Sequence, residues 1–240
     1  MEICLVLPAY NEEGCIASVI SSWVDELSKW TQDFRVLVID DGSTDRTGDI
    51  VHQLSLEQSR LMLLRKNNSG HGGALFAGYA KAIECGAIWI FQVDTDAQFQ
   101  AKDFSLLWER REASRFILGH RKERQDGRHR DAITWALKLL LLVIFGVRIR
   151  DPNIPFRLMR VDYLASLLSR LPDTIFAPNL FLSILAARDG ENLFFIPVAH
   201  FARKTGSASL FSWRLLKACI RSAFELVRFR YLVGIGRTLR

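Results

Sequence analysis

A chain of 240 residues that is 49% hydrophobic and 24% charged has ample apolar content for one large folded unit, which excludes a disordered chain. Its net charge of +6 points to an anionic partner, with nucleotide, nucleic acid and an anionic membrane surface all open. The four cysteines, Cys4, Cys15, Cys85 and Cys219, are scattered without C-x-x-C spacing and read as reduced thiols in a cytosolic protein. The N-terminus has no basic n-region and enters a strand pattern at once, so no signal peptide is expected.

The first apolar run, Ile3 to Leu7, has the continuous hydrophobicity of a parallel strand covered on both faces, and it ends at Pro8. Ala9-Tyr10-Asn11-Glu12-Glu13 then leads into a helix whose Ile16, Val19, Ile20, Trp23, Val24 and Leu27 recur at helical spacing. A second unit repeats the form. Phe34 to Ile39 reads as strand, Asp40-Asp41-Gly42-Ser43-Thr44-Asp45 as loop, and about Arg46 to Leu54 as helix, capped by Ser43 or Thr44. Two adjacent carboxylates at a strand end repel each other, and a turn needs only one, so a functional loop and a plain turn both remain open. A third strand, Leu61 to Leu64, precedes the glycine-bearing stretch Arg65 to Leu75. The free N–H groups of the helix that follows, with Arg65 and Lys66, offer a place for phosphate. The stretch matches neither a Walker A loop nor Gly-x-Gly-x-x-Gly, and a flexible turn also explains it.

The fourth strand, Ala87 to Val93, runs into Asp94-Thr95-Asp96-Ala97-Gln98. Residues i and i+2 of an extended segment share a side, so Asp94 and Asp96 converge, and Gln98 joins them if the chain stays extended. Open α/β sheets place ligands at this end of a strand, and three oxygen-bearing side chains suit a hard divalent cation carrying phosphates. An ordinary acidic turn is the alternative. Residues 1–100 thus alternate β-α-β-α-β-α-β, which predicts a doubly wound, mostly parallel central sheet of α/β class with helices on both faces and one crevice.

Four segments in this order carry a resemblance: Leu-Pro-Ala-Tyr-Asn-Glu at 7–12, Ile-Asp-Asp-Gly-Ser-Thr-Asp at 39–45, Asn-x-Gly-x-Gly-Gly-Ala-Leu at 68–75, and Asp-x-Asp-x-Gln at 94–98. Together they resemble the family 2 glycosyltransferases of GT-A fold. With the later Phe156-Arg157-Leu158 they look most like the polyprenyl-phosphate (dolichol-phosphate) mannosyl- and glucosyltransferases, over roughly Ile3 to Ser209. The resemblance implies a Rossmann-like GT-A sheet, a nucleotide-sugar donor and Mg²⁺ or Mn²⁺ as cofactor. Pro8, Tyr10, Glu12, Ile39 and Asp41 match the surface for base and ribose, with Asp40 helping to shape it. Asp94, Asp96 and Gln98 match the metal site that bridges the diphosphate, and Asp96 is counted among the catalytic residues.

Residues 101–209 then form the acceptor half of a catalytic domain spanning 1–209. A strand, Arg115 to Leu118, ends in Gly119-His120-Arg121, and Arg121 occupies the position of a family arginine near the diphosphate. The charged loop Lys122 to Arg130 leads into the apolar stretch Ala132 to Val147, whose sixteen residues include Lys138. That is short of the roughly twenty apolar residues a membrane span needs, so a buried or interfacial helix is expected. Beside it, Arg128 and Arg130 are implied by the family as grips for an acceptor phosphate, and Arg157 as a part of the acceptor floor. Asp151 is the general-base candidate for a hydroxyl acceptor, or a turn cap before Pro152. Ile154-Pro155 departs from the small residues usual in this segment. Asn192 to Val198 reads as a further strand leading to Arg203, which matches a family contact to the donor phosphates, whereas the later family lysine is Ser209 here.

In residues 210–240, Trp213, Leu216, Ile220, Phe224, Val227 and Tyr231 recur at helical steps beside a stripe of Arg214, Lys217, Arg221 and Arg228. Such a helix either lies on an anionic membrane or docks on the domain. No Gln-x-x-Arg-Trp motif of processive synthases occurs. The expected activity is an inverting, metal-dependent transfer of one sugar from a UDP- or GDP-sugar to a polyprenyl phosphate, with the protein peripheral at the cytoplasmic membrane face. A saccharide or other hydroxyl acceptor in cell-envelope polysaccharide synthesis is the alternative, and a non-catalytic basic binding module is a third.

Overall fold

The computed structural model describes residues 1–121, 128–172, 175, 177–191, 193–201 and 224–231; of residues 128–136 it describes the backbone alone. Among the described residues, seven strands form one sheet in the order β3-β2-β1-β4-β6-β5-β7. They are β1 (Ile3–Ala9), β2 (Phe34–Asp40), β3 (Leu61–Arg65), β4 (Trp89–Gln92), β5 (Phe116–Arg121), β6 (Arg157–Arg160) and β7 (Phe194–Val198). The pairs β1–β2, β2–β3, β1–β4 and β5–β7 are parallel, while β6 runs antiparallel to both β4 and β5. This is the expected α/β sheet, mostly parallel, with one reversed strand joining its two halves.

Every residue of β1 is buried, as a strand covered on both faces requires. α1 (Ile16–Ser28) buries Ile16, Val19, Ile20, Trp23 and Leu27, the face read from the sequence. α2 (Thr47–Glu57) follows β2, and α3 (Gly70–Glu84) follows β3. Gly70, Gly72 and Gly73 thus lie in the first turn of α3 rather than in a free loop. Farther along that helix, a Cβ at Gly78 would stand 2.6 Å from Val6 and 2.8 Å from Ile39, so the helix meets the sheet at backbone distance.

Between β4 and β5 lies α4 (Phe104–Trp108). The apolar stretch after β5 is α5 (Arg128–Phe145), longer at its N-terminus than the sixteen residues expected because Arg128 and Arg130 are already helical. No helix among the described residues is long and apolar enough to cross a membrane. The segment read only as an acceptor floor contains β6, followed by α6 (Val161–Leu168) and α7 (Pro178–Arg188). β6 was missed because a strand of four residues that begins and ends in arginine gives too short a pattern to score.

An aromatic cluster ties these elements together beneath the strand ends. Phe91 of β4 packs on Trp23 at 5.3 Å, Phe104 at 5.1 Å and Phe156 at 4.8 Å, and Phe156 packs on Phe99 at 5.3 Å. Residues 224–231 are helical. This segment docks on the domain through buried Leu226 and Phe229, the latter 4.9 Å from Phe181, while Phe224, Val227 and Tyr231 remain exposed. Among the described residues Cys4, Cys15 and Cys85 form no disulfide with one another, and Cys219 lies outside the described residues.

Candidate active site

The loops after β1 and β2 are laced to each other. The N–H of Asn11 donates to Ser43 Oγ at 3.0 Å, Glu12 N–H to Thr47 Oγ1 at 2.8 Å, and Glu13 N–H to Asp45 Oδ2 at 3.1 Å. In return Asn11 Oδ1 accepts from Thr44 N–H at 2.8 Å, and Glu13 accepts from Arg46 N–H at 3.0 Å. Asn11 takes a left-handed backbone (φ 55°), which its short amide tolerates. The start of α2 is closed by Asp45, which accepts from Thr47 N–H at 2.9 Å, rather than by Ser43 or Thr44. Burial pushes Asp45 up, but hydrogen bonds from Thr47 and Glu13 outweigh it and hold the carboxyl below its ordinary value.

Asp40 and Asp41 avoid mutual repulsion because each has its own cation from the end of β3. Asp40 Oδ2 lies 3.8 Å from Arg65 Nε, and its other oxygen accepts Ser43 N–H at 2.9 Å. Asp41 Oδ1 pairs with Lys66 Nζ at 2.6 Å and accepts Ser69 N–H at 3.0 Å. Arg65 also pairs with Asp49 at 2.6 Å. The positive charge read as a phosphate site is therefore engaged by carboxylates. Gly42 (φ 73°) permits this crossing, since a Cβ there would stand 2.8 Å from Asn68 N. A polar cleft of about 400 Å³ opens alongside, lined by Asp40, Ser43, Asp45, Asp49, Arg65 and Lys66 among others.

Of the residues matched to base and ribose, Tyr10 is 48% exposed, whereas Glu12 is turned inward with its Oε2 at 3.2 Å from Cys15 Sγ. Pro8 is buried, and its carbonyl accepts Thr95 Oγ1–H at 2.9 Å. Ile39 is a correction: its side chain is fully buried against α3 at Gly78, because inward residues of a central strand pack on the covering helix. It reaches no nucleotide surface.

Thr95 is turned inward to Pro8, and its neighbours Asp94 and Asp96 are both partly exposed, as alternation at a strand end requires. Asp94 Oδ1 is buried and accepts no hydrogen bond among the described residues; His71 Nε2 lies 3.8 Å away. The extended register stops at Ala97, which has φ 57°. Gln98 therefore does not simply continue the series. Its Nε2 donates to Phe201 O at 3.0 Å, while Phe201 N–H donates to Gln98 O at 2.9 Å. Among the described residues no cluster of three His, Cys, Asp or Glu forms a ready metal cage. The side-chain oxygens this loop offers are the carboxylates of Asp94 and Asp96, and Gln98 is tied to the second of them by its N–H, which donates to Asp96 Oδ1 at 3.2 Å.

On the other side, Arg121 Nη1 lies 3.5 Å from Asp151 Oδ2, with both side chains largely buried, and the guanidinium stands 6.0 Å from the Phe99 ring. Phe99 follows Gln98 directly, so the Arg121–Asp151 pair and the Asp94–Asp96 loop share one wall. Arg157 is a second correction. It is fully buried and donates to the carbonyls of Ile154 and Asn179, so it binds no acceptor directly. Arg128 and Arg130 lie in the first turn of α5. Arg203, Ser209 and the loop 122–127 lie outside the described residues.

Sequence reasoning missed a buried polar group formed by Tyr79, Gln92, Asn179 and Ser183. Tyr79 donates to Gln92 Oε1 at 2.6 Å, and Ser183 Oγ donates to Pro152 O at 2.8 Å. Asn179 and Ser183, four apart in the otherwise apolar α7, were the available signal.

The sequence profile of glycosyl transferase family 2 matches residues 4–167. The chain belongs to this family. Among curated relatives of this family 2 chain is an undecaprenyl-phosphate mannosyltransferase of Micrococcus luteus, 24% identical over 218 residues, covering 88% of each protein. An undecaprenyl-phosphate 4-deoxy-4-formamido-L-arabinose transferase of Salmonella choleraesuis is 25% identical, and the alignment covers 90% of this chain but 64% of that protein. In fold, the chain is similar to glucosyl-3-phosphoglycerate synthase of Mycobacterium tuberculosis in complex with Mn²⁺, UDP and glucosyl-3-phosphoglycerate. The TM-score is 0.66 at 19% identity, over 95% of this chain and 79% of that one. The same synthase with Mg²⁺ and UDP also gives 0.66, at 20% identity. These likenesses place the sheet in the GT-A class of α/β folds.

Proposed function

We propose that this family 2 chain is an inverting, metal-dependent hexosyltransferase that moves one sugar from a UDP- or GDP-linked donor to a hydroxyl on a saccharide or another small acceptor. The observation that carries the acceptor side is Asp151, a buried carboxylate 3.5 Å from Arg121, whose guanidinium stands 6.0 Å from the Phe99 ring beside the donor loop. A hydroxyl must lose its proton as it attacks, and a carboxylate held in the site takes it. A phosphate acceptor is already anionic and has no such need.

On the donor side Tyr10 faces the base and ribose, with Pro8, Glu12 and Asp41 shaping that surface from beneath. Asp94 and Asp96 hold Mg²⁺ or Mn²⁺, with Gln98 Oε1 as the third ligand. The buried Asp94 Oδ1 that accepts no hydrogen bond among the described residues fits a hard cation, whose preferred ligands are such oxygens. When bound, the metal offsets the charge that builds on the departing diphosphate. Arg121, and Arg203 from beyond the described residues, add positive charge toward the same group. The synthase structures holding Mn²⁺ or Mg²⁺ with UDP support this donor side.

A second reading, transfer to a polyprenyl phosphate by a protein peripheral at the cytoplasmic membrane face, is favoured by the undecaprenyl-phosphate relatives. A groove of about 510 Å³ with apolar walls at Leu139, Leu142 and Phe195 and cations at Lys138, Arg148 and Arg150 also fits a lipid phosphate. Under it, Arg128 and Arg130 grip that phosphate. Purified chain with Mn²⁺ and a panel of UDP- and GDP-sugars, offered either soluble sugars and phosphoglycerate or undecaprenyl phosphate in detergent, separates the two. Label on a soluble hydroxyl supports the first reading, label only on lipid overturns it for the second, and no transfer at all contradicts both.

A further inference from the structure

Arg157 heads the fully buried side chains of the described residues when these are ranked by volume. A buried guanidinium without an anionic partner is expensive to hold, yet all its hydrogen bonds run to backbone carbonyls. Nε donates to Ile154 O at 3.0 Å, Nη1 to Asn179 O at 3.1 Å, and Nη2 to Ile154 O and, at 3.5 Å, to Pro152 O.

The turn explains the choice of side chain. Asp151-Pro152-Asn153-Ile154-Pro155 contains two prolines, which bring no N–H of their own, and every residue but Asn153 is buried. Its carbonyls need donors from elsewhere. A guanidinium presents five N–H groups in a rigid planar fork and meets several carbonyls at once, which neither an ammonium nor an amide does in the same geometry. Ser183 adds the second donor to Pro152 O, at 2.8 Å.

The strand register places this fork at the joint of the two halves. Arg157 opens β6 opposite Gln92 of β4 on one side and Leu118 of β5 on the other. β4 leads to Asp94 and Asp96, and β5 ends at Arg121. Burial draws the guanidinium down to about 10, while Tyr79, Asp151 and Asp94 oppose that, so it remains a cation at neutral pH. Tyr79, pushed above its ordinary range by burial, keeps the hydroxyl proton that it gives to Gln92.

We propose that Arg157, assisted by Ser183, is a positioning residue that fixes the Asp151 turn against the donor strand, so that the acceptor-side carboxylate stands at a set distance from the donor sugar. The proposal rests on the role given to Asp151. Arg157→Lys keeps the charge and loses the fork; Ser183→Ala keeps the fork and loses one bond.

The test measures hydrolysis of UDP-glucose and GDP-mannose with Mn²⁺, in which water replaces the acceptor, alongside calorimetric binding of UDP and GDP with Mn²⁺. Arg157→Lys is expected to lower kcat about tenfold and Ser183→Ala about threefold, as small misplacements of a reacting group do, with nucleotide affinity and donor KM unchanged. Asp151→Asn is expected to lower kcat about a hundredfold, and adding Arg157→Lys to it to lower kcat no further. Folded variants with wild-type kcat, or losses that multiply in the double variant, overturn the proposal. So does a parallel loss of nucleotide binding, the mark of a merely structural role. If Arg157→Lys does not fold, Ser183→Ala decides, and wild-type kcat for it overturns the proposal. A wild-type chain that turns over no donor, or an Asp151→Asn chain with wild-type kcat, removes instead the Asp151 assignment beneath it.

Discussion

In the donor half, the carboxylates at and after the end of β2 are each held by at least one partner from a neighbouring segment: Asp40 by Arg65 as well as Ser43, Asp41 by Lys66 and Ser69, Asp45 by Glu13 as well as Thr47. In the acceptor half one carboxylate, Asp151, stands beside Arg121, and its turn is gripped from behind by Arg157 and by Ser183 of a distant helix. The first arrangement is made of contacts between successive loops near the surface. The second is made of buried contacts to backbone. The difference teaches that the nucleotide side is a set of laced loops shaped by polar motifs, while the acceptor side depends on the interior behind it.

Substitutions break the comparison at defined places. Asp96→Ala should have the largest effect, lowering sugar transfer about a thousandfold, equivalent to roughly 4 kcal/mol, because it removes a proposed metal ligand. Lys66→Met leaves Asp41 buried without its ammonium and should destabilise the fold by about 3 kcal/mol in urea titration, with weakened nucleotide affinity. Gly78→Ala pushes a methyl group into Val6 and Ile39 and should cost about 2 kcal/mol by the same titration. This loss should leave metal dependence intact, which separates core packing from the donor loops.

The smallest effect is a pH dependence within the lacing. Asp45 is held below its ordinary value, so it stabilises the fold above its unfolded titration range, and that stability is lost as pH falls through its folded value. Thermal midpoints taken at pH 7 and about pH 3 should therefore fall less in Asp45→Asn than in the parent chain. An equal fall in both would show that the lacing does not depend on this carboxylate.

The same contrast governs what the sequence made legible. β1 to β4 and the helices between them follow from continuous apolar runs and the helical spacing of Ile16, Val19, Ile20, Trp23 and Leu27, because burial on both faces writes itself into composition. Asp94 and Asp96 were visible as a pair at a strand end. Gln98 was only half legible: a left-handed residue at Ala97 turns the chain, and alanine announces no such turn. Ile39 and Arg157 were misplaced since a motif match gives a position but not the face its side chain takes. The Tyr79, Gln92, Asn179 and Ser183 group joins residues up to a hundred positions apart. Local periodicity carries no information about such pairings, although two polar residues four apart in the apolar α7 hinted at a buried role.

The central claim is that the strand ends carrying Asp41, Asp94 and Asp96 form a nucleotide and metal platform. Calorimetric titration of the purified chain with UDP and with GDP, each with and without Mn²⁺, tests it most directly, because binding to the native state alone is read without any acceptor. The account predicts that one of the two nucleotides binds, that Mn²⁺ tightens it at least about tenfold, and that Asp94→Asn with Asp96→Asn abolishes the tightening. Binding of neither nucleotide, or binding indifferent to Mn²⁺ in the parent chain, would contradict it.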